Sequence, residues 1–309
     1  MTARLCLKAR PVPSQLADRL QPVDGVWPDG LELYLAAEDL RSPTELDVIA
    51  DRLLGCSVPN GFAFLIEGPV DSLDGADFDV TRDSEADRLV VRRLAELARR
   101  IGARAVNIHV IAPSEDLGRL TLDCRATLLE RAAPLLREFV GLVEAAGAVP
   151  TIENMPPVLR MRRGGFSFTP IGMASQDLVW LAERIPGLAI LPDTSHAGLY
   201  LNARRLSPDP EAPWSAPLLA YIRQLPDEAR DLLGYLQSFA PYVANAQVSN
   251  ATGLLGEGAP YAEGDFDLDP AIAWLGQTAE HIVTETLEPD SSHAVYMRDA
   301  LRRVRAVLA

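Results

Sequence analysis

The chain has 309 residues, 48% of them apolar, and a formal net charge of −14, enough apolar sequence for one large α/β domain or two smaller ones. A phosphate backbone attracts basic surfaces, so this acidic balance disfavours a general nucleic-acid binder. No run is apolar enough to span a bilayer, and the start MTARLCLKARP lacks the apolar stretch of a secretory signal, so a cytoplasmic protein with no membrane partner is expected.

Cys6, Cys56 and Cys124 lie far apart with no CxxC pair, which fits reduced thiols better than a disulfide frame or a zinc ribbon. Lys8 is the only lysine and therefore the only candidate for Schiff-base chemistry; in a chain this biased toward arginine it reads as an accident of composition.

In chain order, short apolar runs alternate with amphipathic ones. RLCLKA (4–9) reads as a strand and SQLADRL as a short helix; DGLELYL (29–35) is strand-like and PTELDVIADRLLG helical. GFAFLIEG (61–68) is a third strand, followed by a helix over 84–103 with Ser84 as N-cap and Gly102 near its end. AVNIHVIAP (105–113) is the fourth strand, 121–147 the next helix and AVPTIENMPP (148–157) the fifth strand. SQDLVWLAERIPG (175–187) is helical, LAILPD (188–193) is the sixth strand, and 217–241 is helical with a break near Pro226. YVANAQVSN (242–250) is the seventh strand, DPAIAWLGQTAEH (269–281) a helix, HIVTETLEP (281–289) the eighth strand and 292–308 the closing helix.

Eight β-then-α units without a composition break predict a single (β/α)8 barrel over residues 1–309, since near-continuous apolar strands between helices form parallel sheets covered on both faces. An open doubly wound sheet would carry a Gly-rich phosphate turn after its first strand, and none is present.

In such barrels the active site lies at the C-terminal ends of the strands. The polar residues there are Glu32 on strand two, Glu67 on strand three, His109 on strand four, Glu153 and Asn154 on strand five, Asp193 and His196 on strand six, Gln247 and Asn250 on strand seven, and Glu285 on strand eight. Taken singly, Glu32 or Glu67 reads as a salt-bridge partner and His109 as a hydrogen-bonded core residue. Jointly, Glu153, Asp193, His196 and Glu285 read as functional, because charges buried together need a shared partner. An oxygen-rich set of this kind suits Mn²⁺ or Mg²⁺, with Zn²⁺ or Co²⁺ if imidazole joins.

At these residues the sequence resembles the xylose-isomerase-like barrel superfamily. IEN-P on strand five, D-x-x-H on strand six, EGDFDLDPAIAWL before the seventh helix and IVTE on strand eight match it in order and spacing, over nearly the whole chain. The resemblance implies one divalent cation held by Glu153, Asp193 and Glu285, with Glu153 and Glu285 also moving protons and His196 contacting substrate oxygens. The family's strand-seven histidine is replaced by Gln247, a neutral ligand that favours Mn²⁺ or Mg²⁺ over zinc. His109, Glu32, Glu67 and Asn154 fall to substrate binding.

The implied function is isomerisation or epimerisation of a small sugar or polyol carbonyl compound through an enediolate. A dehydratase or lyase shares the first step. A phosphodiester hydrolase like the apurinic endonucleases would need more histidines than four, and a barrel that has lost its metal and only binds is a further alternative. Related barrels often pair, so a homodimer is an expectation.

Two loops remain. VLRMRRGGFSFTPIGMAS (158–175) places Arg160, Arg162 and Arg163 beside Gly164 and Gly165, either as a lid with a fork for phosphate or carboxylate, or as a solvated loop. LNARRLSPDPEAPWSAP (201–217) carries Trp214, either a wall for a sugar face or an interface anchor.

Overall fold

A computed structural model describes residues 3–160, 166–226 and 229–309. Its central sheet contains strands β1 (Arg4–Ala9), β2 (Gly30–Tyr34), β3 (Ala63–Glu67), β4 (Ala105–His109), β5 (Val149–Glu153), β6 (Ala189–Leu191), β7 (Asn245–Val248) and β10 (His281–Thr284). They pair in the order β6-β5-β4-β3-β2-β1-β10-β7, every neighbour parallel. The ring closes between β6 and β7, where Ile190 N–H donates to Tyr242 O, Ala244 N–H to Ile190 O and Gln247 N–H to Pro192 O, at 2.8–3.0 Å. This is the expected (β/α)8 barrel.

The helices are α1 (Pro13–Arg19), α2 (Pro43–Leu54), α3 (Glu85–Ile101), α4 (Leu122–Ala145), α5 (Ser175–Arg184), α6 (Thr194–Arg205), α7 (Ser215–Ile222), α8 (Leu232–Gln237), α9 (Asp269–Thr278) and α10 (Val295–Leu308). Ser84 caps α3 by accepting from Asp87 N–H, and Gly102 ends it with a left-handed backbone, as the sequence predicts. Among the described residues no helix is long and apolar enough to cross a membrane.

Two elements depart from the sequence reading. The stretch after strand six is helical from Thr194 to Arg205, so the first residues of the expected 201–217 loop are the last turn of α6. Nine of its twelve residues are buried, which erases the polar face that reveals a helix by periodicity. Strand seven ends at Val248; Asn250–Thr252 (β8) instead pairs antiparallel with Gly256–Ala259 (β9) in a hairpin. The hairpin packs on α6. Gly198 meets it so closely that an added Cβ would stand 2.8 Å from Ala251 Cβ and from the Phe266 ring.

Side chains alternate across a strand, so every second residue of each barrel strand faces the axis. The inward positions begin with a small apolar floor of Cys6, Leu65, Ala105 and Val283. One step toward the C-terminal ends, the same strands present Lys8, Glu67, Asn107 and Glu285. The register puts Lys8 beside Glu32, Glu67 beside Asn107, His109 beside Glu153 and Asp193 beside Gln247. The larger apolar core lies outside the ring, between strands and helices.

Candidate active site

The polar layer splits into two halves. In one, the Lys8 ammonium lies among three carboxylates: it pairs with Glu67, stands 2.5 Å from Glu285 Oε1 and 3.9 Å from Glu32 Oε2. Gln247 Nε2 donates to Glu32 Oε2 and Glu67 Oε2, each at 2.7 Å, and so links strand seven to strands two and three. Burial opposes the Lys8 charge, but Glu285, Glu67, Glu32 and Glu153 outweigh it and hold the ammonium well above its ordinary pKa. Burial, helped by Glu67 and Glu153 against Lys8 and the Gln247 bond, pushes Glu32 up to about 8. Burial acts the same way on Glu67, but there Lys8 and His109 prevail and hold it well below the carboxylate range. Burial, with Glu67, Asp193 and Glu153, drives Glu285 up against the pull of Lys8.

In the other half, Glu153 Oε2 accepts from Asn107 Nδ2 at 2.6 Å, and Glu153 Oε1 lies 3.0 Å from His196 Nδ1. Thr151, two residues earlier on β5, reaches Asn107 Oδ1 at 3.3 Å and steadies it. His109 Nε2 stands between the halves, 3.3 Å from Glu67 and 3.7 Å from Glu153. Asp193 caps α6 by accepting from His196 N–H at 2.6 Å. The D-x-x-H spacing is therefore a helix start: its first turn brings both side chains to Glu153 although they are three residues apart. Burial lowers His196, but Asp193 and Glu153 overcome it and bring the imidazole up to about 8. Burial, with Glu153 adding, raises Asp193 over the opposing pull of His196.

Above the polar layer opens a cavity of about 420 Å³, a size suited to a small molecule, with Lys8, Glu67, His109, Glu153, His196 and Glu285 at its wall. Glu257 of β9 reaches in as well, 3.4 Å from His196 Nε2, because the hairpin is pinned to α6 by Gly258 N–H donating to Ser195 Oγ at 2.9 Å.

Several expected site residues stand back from the cavity wall. Glu32, Asp193 and Gln247 are fully buried beside the residues that line it. Asn154 spends its amide on the Asp193 backbone, and Asn250 donates to the carbonyls of Tyr261 and Phe266. Arg160 does line the cavity and pairs with Asp77 and Glu115. Trp214 stacks on Phe166, ring centroids 4.7 Å apart. Arg162, Arg163, Gly164 and Gly165, the expected lid, lie outside the described residues.

Three residues at the site escaped the sequence reading. Lys8, set aside as accidental, is two places after the inward Cys6, so strand alternation alone aims it at the mouth. Asn107, two places before His109 on β4, is aimed inward in the same way. Glu257 had no such signal, since its strand lies in a Gly-rich stretch outside the barrel.

The donors fit a divalent cation. Three trios each place ligand atoms within 4.8 Å of one another: Glu67–His109–Glu153, Glu153–Asp193–His196 and Glu32–Glu67–Glu285. In addition, Gln247 Oε1 and Glu285 Oε2 are buried without a hydrogen-bond partner among the described residues.

Among solved structures, sugar epimerases and an endonuclease share this barrel fold. A D-tagatose 3-epimerase-like protein superposes with a TM-score of 0.65 at 14% identity, over 99% of this chain and 98% of that one. D-psicose 3-epimerase from Clostridium cellulolyticum, crystallised with D-tagatose, gives 0.62 at 11% identity, over 99% of each chain. Endonuclease IV from Thermus thermophilus gives 0.58 at 16% identity, over 99% of this chain and 98% of that one. No protein-family model matches the sequence, and no curated protein matches it significantly.

Proposed function

We propose that the barrel is an isomerase or epimerase of a small sugar or polyol carbonyl compound, working by proton transfer next to the carbonyl. The observation that carries this reading is the placement of Glu153 and Glu285. Both reach the cavity, from well-separated strands of the ring, and each is held differently. Glu153 is oriented by Asn107 and His196, whereas Glu285 is paired through one oxygen and keeps the other buried and, among the described residues, unpartnered. Two carboxyl groups in unlike surroundings are the equipment for taking a proton on one side and returning it on another.

Glu153, Asp193, Gln247 and Glu285 would hold the divalent cation, Mn²⁺ or Mg²⁺ by their oxygen donors, with Zn²⁺ or Co²⁺ favoured where His196 joins. When bound, that ion would polarise the two adjacent substrate oxygens. The protein residues do the rest. One glutamate takes the proton from the carbon beside the carbonyl, the carbonyl carbon gains enediolate character, and the other glutamate or the same one returns the proton. His196 and His109 donate hydrogen bonds to substrate oxygens, and Glu257 orients His196. The likeness in fold to two sugar 3-epimerases supports the substrate class.

Dehydration begins with the same proton removal, and it would be recognised by a product that has lost water. Phosphodiester hydrolysis is less well supported, because the excess of carboxylates at the mouth repels a phosphate chain. The test is incubation with a panel of ketoses in deuterium oxide, followed by proton NMR. Loss of the carbon-bound proton next to the carbonyl in at least one ketose, abolished in Glu153→Gln, is the expected result. Substrates that bind without any exchange would refute the reading.

A further inference from the structure

The Glu32–Glu67–Glu285 trio has the geometry of a metal site, and it already contains a cation. Lys8 Nζ is in ion-pair range of all three carboxylates, and the Lys8 side chain is only 8% exposed. The Gln247 amide donates to two of the same oxygens, so that pocket of charge is closed by groups belonging to the chain. The other two trios share Glu153; one of them includes the Glu67 that Lys8 pairs with, whereas among the described residues no lysine or arginine pairs with Glu153–Asp193–His196.

We infer that Lys8 is a built-in cation that fills the Glu32–Glu67–Glu285 half of the mouth, so that the barrel accepts a divalent ion only in the Glu153–Asp193 half, with Glu285 Oε2 and Gln247 Oε1, the oxygens unpartnered among the described residues, left free to join it. An ammonium and a divalent ion cannot occupy the same few ångströms among three carboxylates, because their repulsion in a buried setting is severe. The consequence is chemical. Reactions that grip a phosphate between two or more adjacent ions need both halves. With one half occupied, the barrel is confined to single-ion chemistry, and the ammonium itself stands at the cavity wall as a fixed positive group for a substrate oxygen.

This goes beyond the isomerase reading and does not depend on it. A chain that took up metal only after Lys8 was replaced would support Lys8 as the occupant of its half, while counting against an ion in the Glu153–Asp193 half and so against the cation of the proposed reaction.

The experiment is a metal titration of the full chain, stripped of ions, as wild type and as Lys8→Met. Mn²⁺ is followed by calorimetry and bound metal by elemental analysis. Removing the ammonium is expected to add about one equivalent of Mn²⁺ per chain, since three carboxylates, buried Glu32 and Glu67 and half-buried Glu285, then lack a counter-ion. Equal stoichiometry and equal affinity in the two proteins would overturn the inference. Should Lys8→Met not fold, the wild type still decides. Its single lysine gives one side-chain signal in protein labelled with ¹⁵N-lysine. Saturating Zn²⁺ is expected to leave that ammonium protected from exchange with water. A signal that moves to the position of a free, solvated lysine on adding Zn²⁺ would show that the metal displaces it, and the inference would fail.

Discussion

Asn154 and Asp193 lock the ends of strands five and six together by reciprocal bonds. Asn154 Oδ1 accepts the Asp193 N–H at 2.7 Å, and Asn154 Nδ2 donates to the Asp193 carbonyl at 3.1 Å. The Asn154 carbonyl in turn meets His196 Nδ1 at 2.8 Å. One asparagine thus fixes where the α6 cap begins and which way the imidazole points. Asn154→Ala would leave a buried donor and a buried acceptor unmatched, a cost of roughly 2–4 kcal/mol. Urea unfolding is expected to register that loss, and turnover should fall as the unlocked strand ends shift the Asn154 main-chain carbonyl that holds His196. A variant of unchanged stability would mean that the strands are held by other contacts.

Glu285→Gln separates chemistry from folding. The amide has the same shape, and Lys8 keeps its pairing with Glu67. The unfolding midpoint should therefore change little, whereas turnover should drop by about 10²-fold or more, as expected when a proton-transferring group is removed. Wild-type turnover in this variant would strip Glu285 of its assigned part.

These two residues also show what the sequence could and could not reveal. Glu285 and Asn154 were legible because each interrupts an apolar strand at its C-terminal end, where a barrel collects function. The strands themselves were legible for the same reason: parallel barrel strands are nearly continuous apolar runs. Lys8 was equally placed, in RLCLKA, yet single-residue composition hid what strand alternation would have shown. The partners of Gln247 were hidden for a different reason. Its bonds to Glu32 and Glu67 cross 215 and 180 residues of chain, and which axis-facing residues meet across the mouth depends on the registers of several strands. Helix α6 escaped because burial on nearly all sides removes the amphipathic pattern that marks a helix.

The metal-free protein should be most stable in mildly acidic solution. His196 has its folded pKa raised from 6.5 to about 8, so its contribution is complete below pH 6.5 and is lost as pH rises through about 8. The difference corresponds to roughly 2 kcal/mol. Glu32, raised from 4.5 to about 8, acts in the same direction, its contribution draining between those values. Glu67 acts oppositely: its depressed pKa supplies stability above pH 4.5 that disappears on acidification. Thermal melts in chelator are thus expected to peak near pH 4.5, to decline above it as Glu32 drains, and to fall more steeply from pH 6.5 toward pH 8 as His196 adds to the loss. His196→Gln should make the alkaline decline shallower. A midpoint that climbs from pH 6.5 to 8 would contradict these assignments.

Metal removal tests the site from the opposite side. An ion that binds only the folded chain stabilises it by mass action, about 2.7 kcal/mol at a hundredfold excess over its dissociation constant. For a chain of this size that is a rise of several degrees in the melting midpoint. Adding Mn²⁺ to chelator-treated protein should produce such a rise and restore turnover together, with the same half-saturating concentration. Glu153 belongs to two of the three ligand trios, so Glu153→Gln should abolish the rise while leaving the metal-free midpoint within a few degrees of wild type. If Mn²⁺ raises the midpoint equally in both proteins, the ion binds somewhere other than the Glu153–Asp193 half of the mouth, and Glu153 has no part in holding it.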